Sequence, residues 1–263
     1  MSGEAQTVVR AFDILYCFSE EEPILSVAEV AQRAGLNRTT THRLLHTLER
    51  CHAVQRNPST GQFSLHPRLL QFSSVIFKAS DLRTVAQVPM TALWEQTGET
   101  VALHVRDGSF RIVFMQIESR HDLKVTYPRI GEAISLNLGA PSKAILAFLP
   151  ADELEAFLEN EPLVGTTEAS ITGVTALRFE VEKVHASGYA VSFEERRRGV
   201  ASIAAPVFDA SKTVVATVNV IGPTIRIEDG AVPGLAAVVQ ETAREISRRL
   251  GSLEETHRMT VKS

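Results

Sequence analysis

The spacing of apolar residues predicts that the chain begins with short helices. Apolar positions recur at helical intervals from about Gln6 to Phe18, and "SEEEPILS" then interrupts them with an acidic run and a proline. Ser26 and Glu29 have the spacing of a capping box, and Gly35 is well placed to end the short helix that follows. The apolar face predicted for the first helix comprises Val8, Ala11, Phe12, Leu15 and Phe18.

The stretch "GLNRTTTHRLLHTLER" predicts a third helix, which Asn37 caps and which runs to about Cys51. An advance of 100° per residue places a buried stripe on one side: Thr41, Leu44, Leu45 and Leu48. The opposite side carries polar side chains from end to end: Thr39, His42, Arg43, His46 and Arg50. The next stretch, "AVQRNPSTGQFSL", has two alternating segments around a turn cluster and predicts a β-hairpin. Helix, helix, turn, helix and hairpin is the order of a winged helix-turn-helix domain.

The pattern returns to helix from Pro67 and changes to strands beyond Gly98. Three strands are predicted from "ETVALHVRD", "FRIVFMQIES" and "LKVTYPRIG", the first two joined by a turn at Asp107-Gly108. Helices are predicted from "APSKAILAFL", "ADELEAFLEN" and "ALRFEVEKVHASG", and strands from "YAVSFEE", "VASIAAPVFD" and "TVVATVNVIG". A last amphipathic helix covers about 232–250. Because strands and helices come in blocks, an antiparallel α+β fold is favoured over a doubly wound sheet.

Composition indicates an ordinary globular protein, with 22% charged and 44% hydrophobic residues and a net charge of −4. The chain has neither an apolar run of membrane-spanning length nor a secretion signal, so we expect a cytoplasmic protein. Cys17 and Cys51 have no metal or disulfide spacing and are expected to be small buried hydrophobes.

Charge is distributed unevenly. Residues 33–68 contain six arginines and one acid, Glu49, a local charge of +5. Such a cluster fits either a solvated face or a nucleic-acid contact.

The polar face of the third helix favours the second interpretation. Threonine offers a hydroxyl to phosphates and base edges, arginine pairs bidentately with guanine, and helix N-termini attract phosphate. We therefore predict that this helix enters the major groove of DNA by its N-terminal end, with the hairpin as a wing. The candidate DNA-binding residues are Asn37, Arg38, Thr39, Thr40, His42, Arg43, Arg56, Thr60 and Gln62.

The span from "LSVAEVAQRAGLNRTTTHRLL" to "TGQFSLHPRLL" resembles the DNA-binding domain of IclR-family transcriptional regulators. Their motif Leu-Pro-Lys-Ser-Thr-Val-His/Tyr-Arg-Leu-Leu lies over residues 36–45, where Asn37 replaces proline, Thr39 serine and Thr41 the buried valine. The wing is similar to the family's Thr-Gly-Arg-Tyr-Arg-Leu, with Gln62 and Ser64 at places that are often basic. Blocks such as "LWEQTGETVALHV", "SKAILAFLP" and "GVASIAAPVFD" are similar to successive landmarks of the family's effector domain.

The resemblance implies a division of the chain into a winged helix-turn-helix domain at 1–66, a linker and dimerisation helix at 67–80, a GAF-like effector-binding domain at 81–252 and a tail at 253–263. It also implies homodimers, often tetramers, that bind pseudo-palindromic double-stranded operators, and allosteric control by a small molecule. We expect no membrane partner.

Three regions of the resemblance imply effector contacts. The first is the loop "LNLGAPSKA", whose amides and following helix N-terminus suit a carboxylate. The second is "YAVSFEE", and the third comprises the last two strands. The candidate effector-binding residues are Gly139, Ala140, Pro141, Ser142, Ser192, Ser202, Asn219 and Ile221. Hydroxyls and an amide without a matching acid favour an uncharged or anionic ligand. The family's effectors suggest a small carboxylic or aromatic acid.

Other residues that could belong to the predicted pocket permit more than one interpretation. The segment "EERRRGV" has the charges to gate an anion, but local Glu–Arg pairing in a solvated loop is favoured. His104 suits the pocket or the core equally, and Met115 is expected in the core.

The sequence favours a ligand-responsive regulator, repressor or activator, of an operon for small-molecule catabolism. The alternatives are an architectural DNA-binding dimer without an effector and a DNA-tethered enzyme. The enzyme alternative has no support from a Gly-x-Ser-x-Gly, His-Glu-x-x-His or phosphate-loop motif in the sequence. Ser142-Lys143 also lacks the spacing of a serine–lysine nucleophile. We expect no catalytic residues, no cofactor and no metal.

Overall fold

The computed structural model describes residues 5–19, 21–72, 75, 81–127 and 129–252. The chain divides into two compact units, residues 1–80 and 81–263.

The first unit has three helices and a small sheet in its described part. The elements are α1 (Gln6–Leu15), β1 (Ile24–Leu25), α2 (Val27–Arg33), α3 (Arg38–Arg50), β2 (Val54–Arg56) and β3 (Phe63–Leu65). The strands pair antiparallel in the order β1-β3-β2, so the predicted hairpin is confirmed. The short β1 strand was not predicted, because it directly follows the acidic run. It pairs with β3, on the side of that strand away from β2.

The predicted caps of the first unit are confirmed. Ser26 and Glu29 form a reciprocal capping box at α2. Gly35 follows α2 with φ +63°, a left-handed conformation that favours glycine. The Oδ1 atom of Asn37 accepts a 2.8 Å hydrogen bond from the Thr40 amide at the start of α3.

The predicted apolar face of α1 is wrong in part. Val8 is 56% and Phe12 53% exposed, whereas Ile14 is fully buried. Only the end of α1 and the residues after it join the core of this unit, so partial burial begins at Ala11 and full burial at Ile14. Cys51 also differs from expectation: it is exposed, while Cys17 is buried.

The predicted linker helix falls largely outside the described residues. Pro67–Leu69 form a 3₁₀ turn, and residues 70–72 and 75 are helical. The predicted tail at 253–263 lies wholly outside the described residues.

The second unit consists of one sheet between two groups of helices. Its elements are α4 (Asp81–Thr97), β4 (Thr100–Asp107), β5 (Phe110–Ile117), β6 (Ala133–Ser135), α5 (Ala140–Leu146), α6 (Ala151–Asn160), α7 (Val174–Ser187), β7 (Ala190–Phe193), β8 (Val200–Phe208), β9 (Val214–Pro223) and α8 (Val232–Arg249). Six antiparallel strands lie in the order β6-β5-β4-β9-β8-β7. The predicted α+β class is therefore confirmed.

The two faces of this sheet pack different helices because side chains alternate along each strand. Ile203, Ala205 and Val207 of β8 join the core formed with α4 and α8. Ala204, between them, joins the core formed with α5, α6 and α7.

One predicted strand is wrong. "LKVTYPRIG" pairs with no strand in its described residues, and the third strand of this region is β6. A side chain holds the segment instead: Gln116 Nε2 donates to the Tyr127 carbonyl at 2.9 Å, and Gln116 Oε1 accepts from the Tyr127 amide at 3.1 Å.

None of the helices in the described part of the chain combines the length and apolar character needed to cross a bilayer.

Candidate functional sites

Helix α3 separates its buried and polar faces as the sequence predicts. Thr41 is fully buried, and its hydroxyl donates a 3.0 Å hydrogen bond to the Asn37 carbonyl. Leu44, Leu45 and Leu48 are buried beside it. The opposite face has Thr39, His42, Arg43 and Arg50 exposed and His46 half-buried.

The arginines around α3 are available for an external anion. Arg33 is the exception, because it pairs with Glu22 at 2.5 Å. Within the described residues, no carboxylate oxygen lies within 4.0 Å of any of the other five: Arg38, Arg43, Arg50, Arg56 and Arg68. Unpaired guanidiniums on one unit produce the basic surface that phosphate contacts require.

The wing is held by its own turn. Asn57 Oδ1 accepts from the Ser59 and Thr60 amides at 2.9 and 3.2 Å, and Gly61 has φ +73°. This left-handed conformation is what favours glycine, because a Cβ atom there would meet Arg56 Nη2 only at an ordinary contact distance of 3.4 Å. The Thr60 hydroxyl accepts from the Gln62 amide at 3.3 Å, which commits one of its lone pairs to the turn.

His46 is more constrained than the other polar residues of α3. Its Nδ1 atom lies 3.1 Å from Glu49 Oε2, and its ring packs edge-on against His42 at 4.5 Å between centroids. His42 is therefore the more accessible of the two imidazoles.

A small cavity of about 20 Å³ in the second unit brings most of the predicted effector residues together. It lies between the first turn of α5, the ends of β7, β8 and β9, and the loop after β7. Six of the eight candidates line it: Gly139, Ala140, Pro141, Ser192, Ser202 and Ile221. The remaining lining residues are Arg111, Tyr127, Arg196, Arg197 and Val200.

Ser142 and Asn219 do not line the cavity but support residues that do. Ser142 Oγ accepts a 2.8 Å hydrogen bond from Arg111 Nε. Asn219 Nδ2 donates to Ser202 Oγ at 2.9 Å and to the Tyr127 hydroxyl at 3.3 Å. Each of these two candidates therefore contacts a residue that lines the cavity without lining the cavity itself.

His104 connects these supports to each other. Its Nδ1 atom accepts from Arg111 Nη1 at 2.7 Å, which leaves the Nε2 hydrogen to donate to Asn219 Oδ1 at 3.0 Å. Burial, together with the Arg111 charge, holds the pKa of His104 well below its ordinary value. The imidazole is therefore neutral, as this tautomer requires.

Arg111 is the dominant charge of the cavity. It is 1% exposed, and burial lowers its pKa to about 10. Among the described residues, no carboxylate oxygen lies within 4.0 Å of its guanidinium. A buried cation without a counter-ion is costly, and an anion in the cavity would offset that cost.

Arg196 adds a second guanidinium to the same cavity. It pairs with Glu132 at 2.6 Å, 64 positions away in sequence, so the expected local pairing of this loop is wrong. Both cations contact the Tyr127 ring, with guanidinium carbons of Arg111 and Arg196 at 5.5 and 5.4 Å from its centroid.

Sequence reasoning missed Arg111, although the alternation of β5 contained a usable pattern. Arg111 and Val113 are buried on one face of that strand, and a bulge opposite Leu103 and His104 then places Met115 in the core with α4 and α8. An arginine on the apolar face of a strand is unusual enough to mark a site. Tyr127 offered no comparable pattern, because it lies on an irregular segment.

The described residues contain no group of three or more His, Cys, Asp or Glu side chains placed to hold a metal ion.

Comparisons with known proteins agree across both units. Residues 7–58 match the IclR helix-turn-helix domain, and residues 75–248 match the bacterial transcriptional regulator IclR C-terminal domain. The HTH-type transcriptional regulator KipR of Bacillus subtilis is 31% identical over 251 residues, which is 95% of this chain and 99% of the relative.

Solved structures show the same fold. An IclR transcriptional regulator from Alicyclobacillus acidocaldarius superposes with a TM-score of 0.82 at 25% identity, covering 95% of this chain and all of that one. An IclR homologue from Microbacterium hydrocarbonoxydans, solved in complex with 4-hydroxybenzoate, has a TM-score of 0.79 at 20% identity and covers 93% of this chain and 98% of its own. The chain belongs to the IclR family and is a DNA-binding transcriptional regulator.

Proposed function

We propose that this regulator responds to a small carboxylic acid bound in the cavity beside Arg111. The observation that carries the proposal is the buried guanidinium without a carboxylate partner among the described residues. A carboxylate there would supply the missing counter-charge and accept hydrogen bonds from groups already held in place.

The cavity favours a small and partly aromatic acid. Its volume of about 20 Å³ holds about one water molecule and is far below the roughly 300–1,000 Å³ of typical ligand pockets, so a ligand must move the walls apart to enter. Val200 and Ile221 supply an apolar wall, and Tyr127 supplies an aromatic one. The 4-hydroxybenzoate bound by the Microbacterium relative belongs to this chemical class.

For DNA, we propose that the first turns of α3 read base edges in the major groove. Arg43 and Thr39 lie on its exposed face, and the unpaired Arg56 lies on the wing. These positions suit base contacts from the helix and phosphate contacts from the wing. Asn37, Arg38, Thr40, His42, Thr60 and Gln62 complete the proposed surface.

We further propose that the regulator acts as a homodimer or tetramer on a pseudo-palindromic operator. The proposed domains are 1–66 for DNA, 67–80 for the linker and subunit pairing, and 81–252 for the effector. Ligand binding would change how two recognition helices fit their half-sites, a coupling of two sites through subunit arrangement.

Selection of bound genomic DNA would identify the operator and the neighbouring genes. A thermal-shift screen of carboxylic acids, each beside its matched primary amide, then tests the ligand class. Saturation to 100 times the dissociation constant stabilises a protein by about 2.7 kcal/mol. An acid that raises Tm, and also changes operator affinity, supports the proposal. Stabilisation by none of them would favour the architectural alternative.

A further inference from the structure

The cavity has two walls that belong to different elements. The first turn of α5 contributes Gly139, Ala140 and Pro141, and the loop after β7 contributes Arg196 and Arg197. A ligand that touches both walls depends on how firmly the loop is held against the helix.

A buried ion pair joins these walls. Lys143 of α5 is 1% exposed, and its Nζ atom lies 2.5 Å from Glu195 Oε1 in the loop. Glu180 of α7 lies further away, with its Oε2 atom 3.2 Å from the same ammonium. Lys143 therefore bonds to one carboxylate in the loop and to one outside it.

Each partner of the ion pair is adjacent in sequence to a residue that forms or supports the cavity. Lys143 follows Ser142, which accepts the hydrogen bond from Arg111. Glu195 precedes Arg196, which lines the cavity. A displacement of either charged side chain would thus move a cavity residue directly through the backbone.

Other contacts of the loop lead to other segments, including the Arg196–Glu132 pair described above and the backbone bond from the Thr224 amide to the Gly199 carbonyl. The Thr166, Thr167 and Ser170 hydroxyls donate to loop carbonyls from 194 to 196. The Lys143–Glu195 hydrogen bond ties residues 194–199 to α5, and the Gly139 amide that precedes α5 also stabilises the Glu195 carboxylate.

The Lys143–Glu195 ion pair is not expected to add much to the free energy of unfolding. Glu195 is 7% exposed, and its Oε2 atom has no hydrogen-bond partner among the described residues. Burial raises the pKa of Glu195 even though the Lys143 charge acts in the opposite direction. Hydrophobic side chains of similar size often replace a buried ion pair without loss of stability.

We infer that Lys143 and Glu195 are positioning residues of the effector site, whose ion pair holds the arginine-bearing loop against α5. This inference concerns the regulation of the proposed ligand cavity and rests on that proposal for its ligand readout. Neither residue touches the ligand itself; each acts through its neighbour.

Glu195→Gln and Glu180→Gln form a matched test in the full-length protein. Each removes one carboxylate from Lys143 and leaves the other, so neither strands an unpaired ammonium. Only Glu195→Gln removes the negative charge from the tie to the loop, which weakens it to a neutral hydrogen bond. Amide hydrogen exchange of residues 194–199 should rise about tenfold or more in Glu195→Gln and stay at the wild-type rate in Glu180→Gln.

A second readout is binding of 4-hydroxybenzoate by calorimetry. Its affinity should fall about tenfold or more in Glu195→Gln and stay unchanged in Glu180→Gln. Equal effects of the two variants on exchange, or no effect of Glu195→Gln, would overturn the inference. Absence of 4-hydroxybenzoate binding by the wild type counts against that probe and the proposed ligand class, while the exchange measurement still decides the role of the pair.

Two further variants keep the test decisive. Glu168→Gln breaks the exposed Arg198–Glu168 pair of the same loop and should leave both readouts unchanged. If Glu195→Gln does not fold, Glu195→Asp retains the charge but shortens its reach by one methylene, and it should raise exchange of the loop in the same direction. Wild-type exchange in a folded Glu195→Asp variant would contradict the inference.

Discussion

Arg111 Nε donates a 2.8 Å hydrogen bond to Ser142 Oγ, which connects a buried cation on β5 to the helix that forms one wall of the cavity. The Ser142 hydroxyl in turn donates a 3.1 Å hydrogen bond to the Ser135 carbonyl. The guanidinium is thereby held in a fixed orientation before any ligand arrives, which lowers the entropic cost of binding an anion.

Arg111→Met should abolish stabilisation by a carboxylic acid without lowering the stability of the free protein. The lowering of the Arg111 pKa to about 10 corresponds to a cost on the order of 3 kcal/mol for keeping this buried group charged. Removal of the charge recovers that cost, which offsets the buried hydrogen bonds that the His104 Nδ1 atom and the Ser142 hydroxyl lose, at about 1–3 kcal/mol each. Thermal unfolding with and without ligand checks both effects, and Arg106→Met, at a partly exposed pair with Glu153, serves as the control. A large loss of stability in the free Arg111→Met protein would indicate a structural role instead.

Arg43→Ala should weaken operator binding and relax discrimination at one base position by about 1–3 kcal/mol. Arg43 is exposed on α3 and has no ion-pair partner in the described part of the chain. Arg33→Ala is the control, because Arg33 already pairs with Glu22. Binding to the operator and to single-base variants gives the measurement, and equal effects of the two substitutions would contradict the assignment.

Thr39→Val and Thr41→Val separate the two faces of α3 with the same chemical change. Thr41 is fully buried, and valine there keeps the packing while removing a hydroxyl bonded only to the Asn37 carbonyl. Operator affinity should stay unchanged in Thr41→Val and fall in Thr39→Val. A fall only in Thr41→Val would reverse the proposed orientation of the helix.

Asn219→Leu should leave operator affinity intact and abolish the ligand response. The amide connects His104, Ser202 and Tyr127, so its loss leaves buried polar groups unpaired at about 1–3 kcal/mol each. Urea unfolding measures that loss, and operator binding with and without the acid measures the response. An intact response in a folded variant would remove Asn219 from the site.

The stability of the protein should carry a pH-dependent contribution from Glu195. Its folded pKa is raised above the ordinary 4.5, mainly by burial, so its contribution is fully present below that value. The contribution is lost as the pH rises through the folded pKa. Glu195→Gln cannot ionise, so its stability relative to wild type should increase from pH 4.5 upward in urea unfolding.

Glu155→Gln provides a comparison of opposite sign. A hydrogen bond from Arg178 lowers the pKa of the exposed Glu155, so its small contribution is lost as the pH falls. Parallel pH profiles for Glu155→Gln and Glu195→Gln would contradict the assignment of the effect to burial.

The sequence by itself determined the first unit and the sites that local pattern controls. Ser26, Asn37 and Gly35 act within a few residues of their own position, and the buried side of α3 follows from 3.6-residue periodicity. Most strands and helices of the second unit followed from the same short-range rules.

Only the tertiary structure decided what surrounds the cavity. Arg111, Tyr127 and Arg196 meet there from three separate segments, and Glu132 reaches Arg196 across 64 positions. The predicted strand around Tyr127 failed because a side chain, Gln116, holds that segment in place of a strand partner. Periodicity predicts which face of an element a residue occupies. The charges around a buried residue depend on segments that are distant in sequence, so no local pattern predicts them.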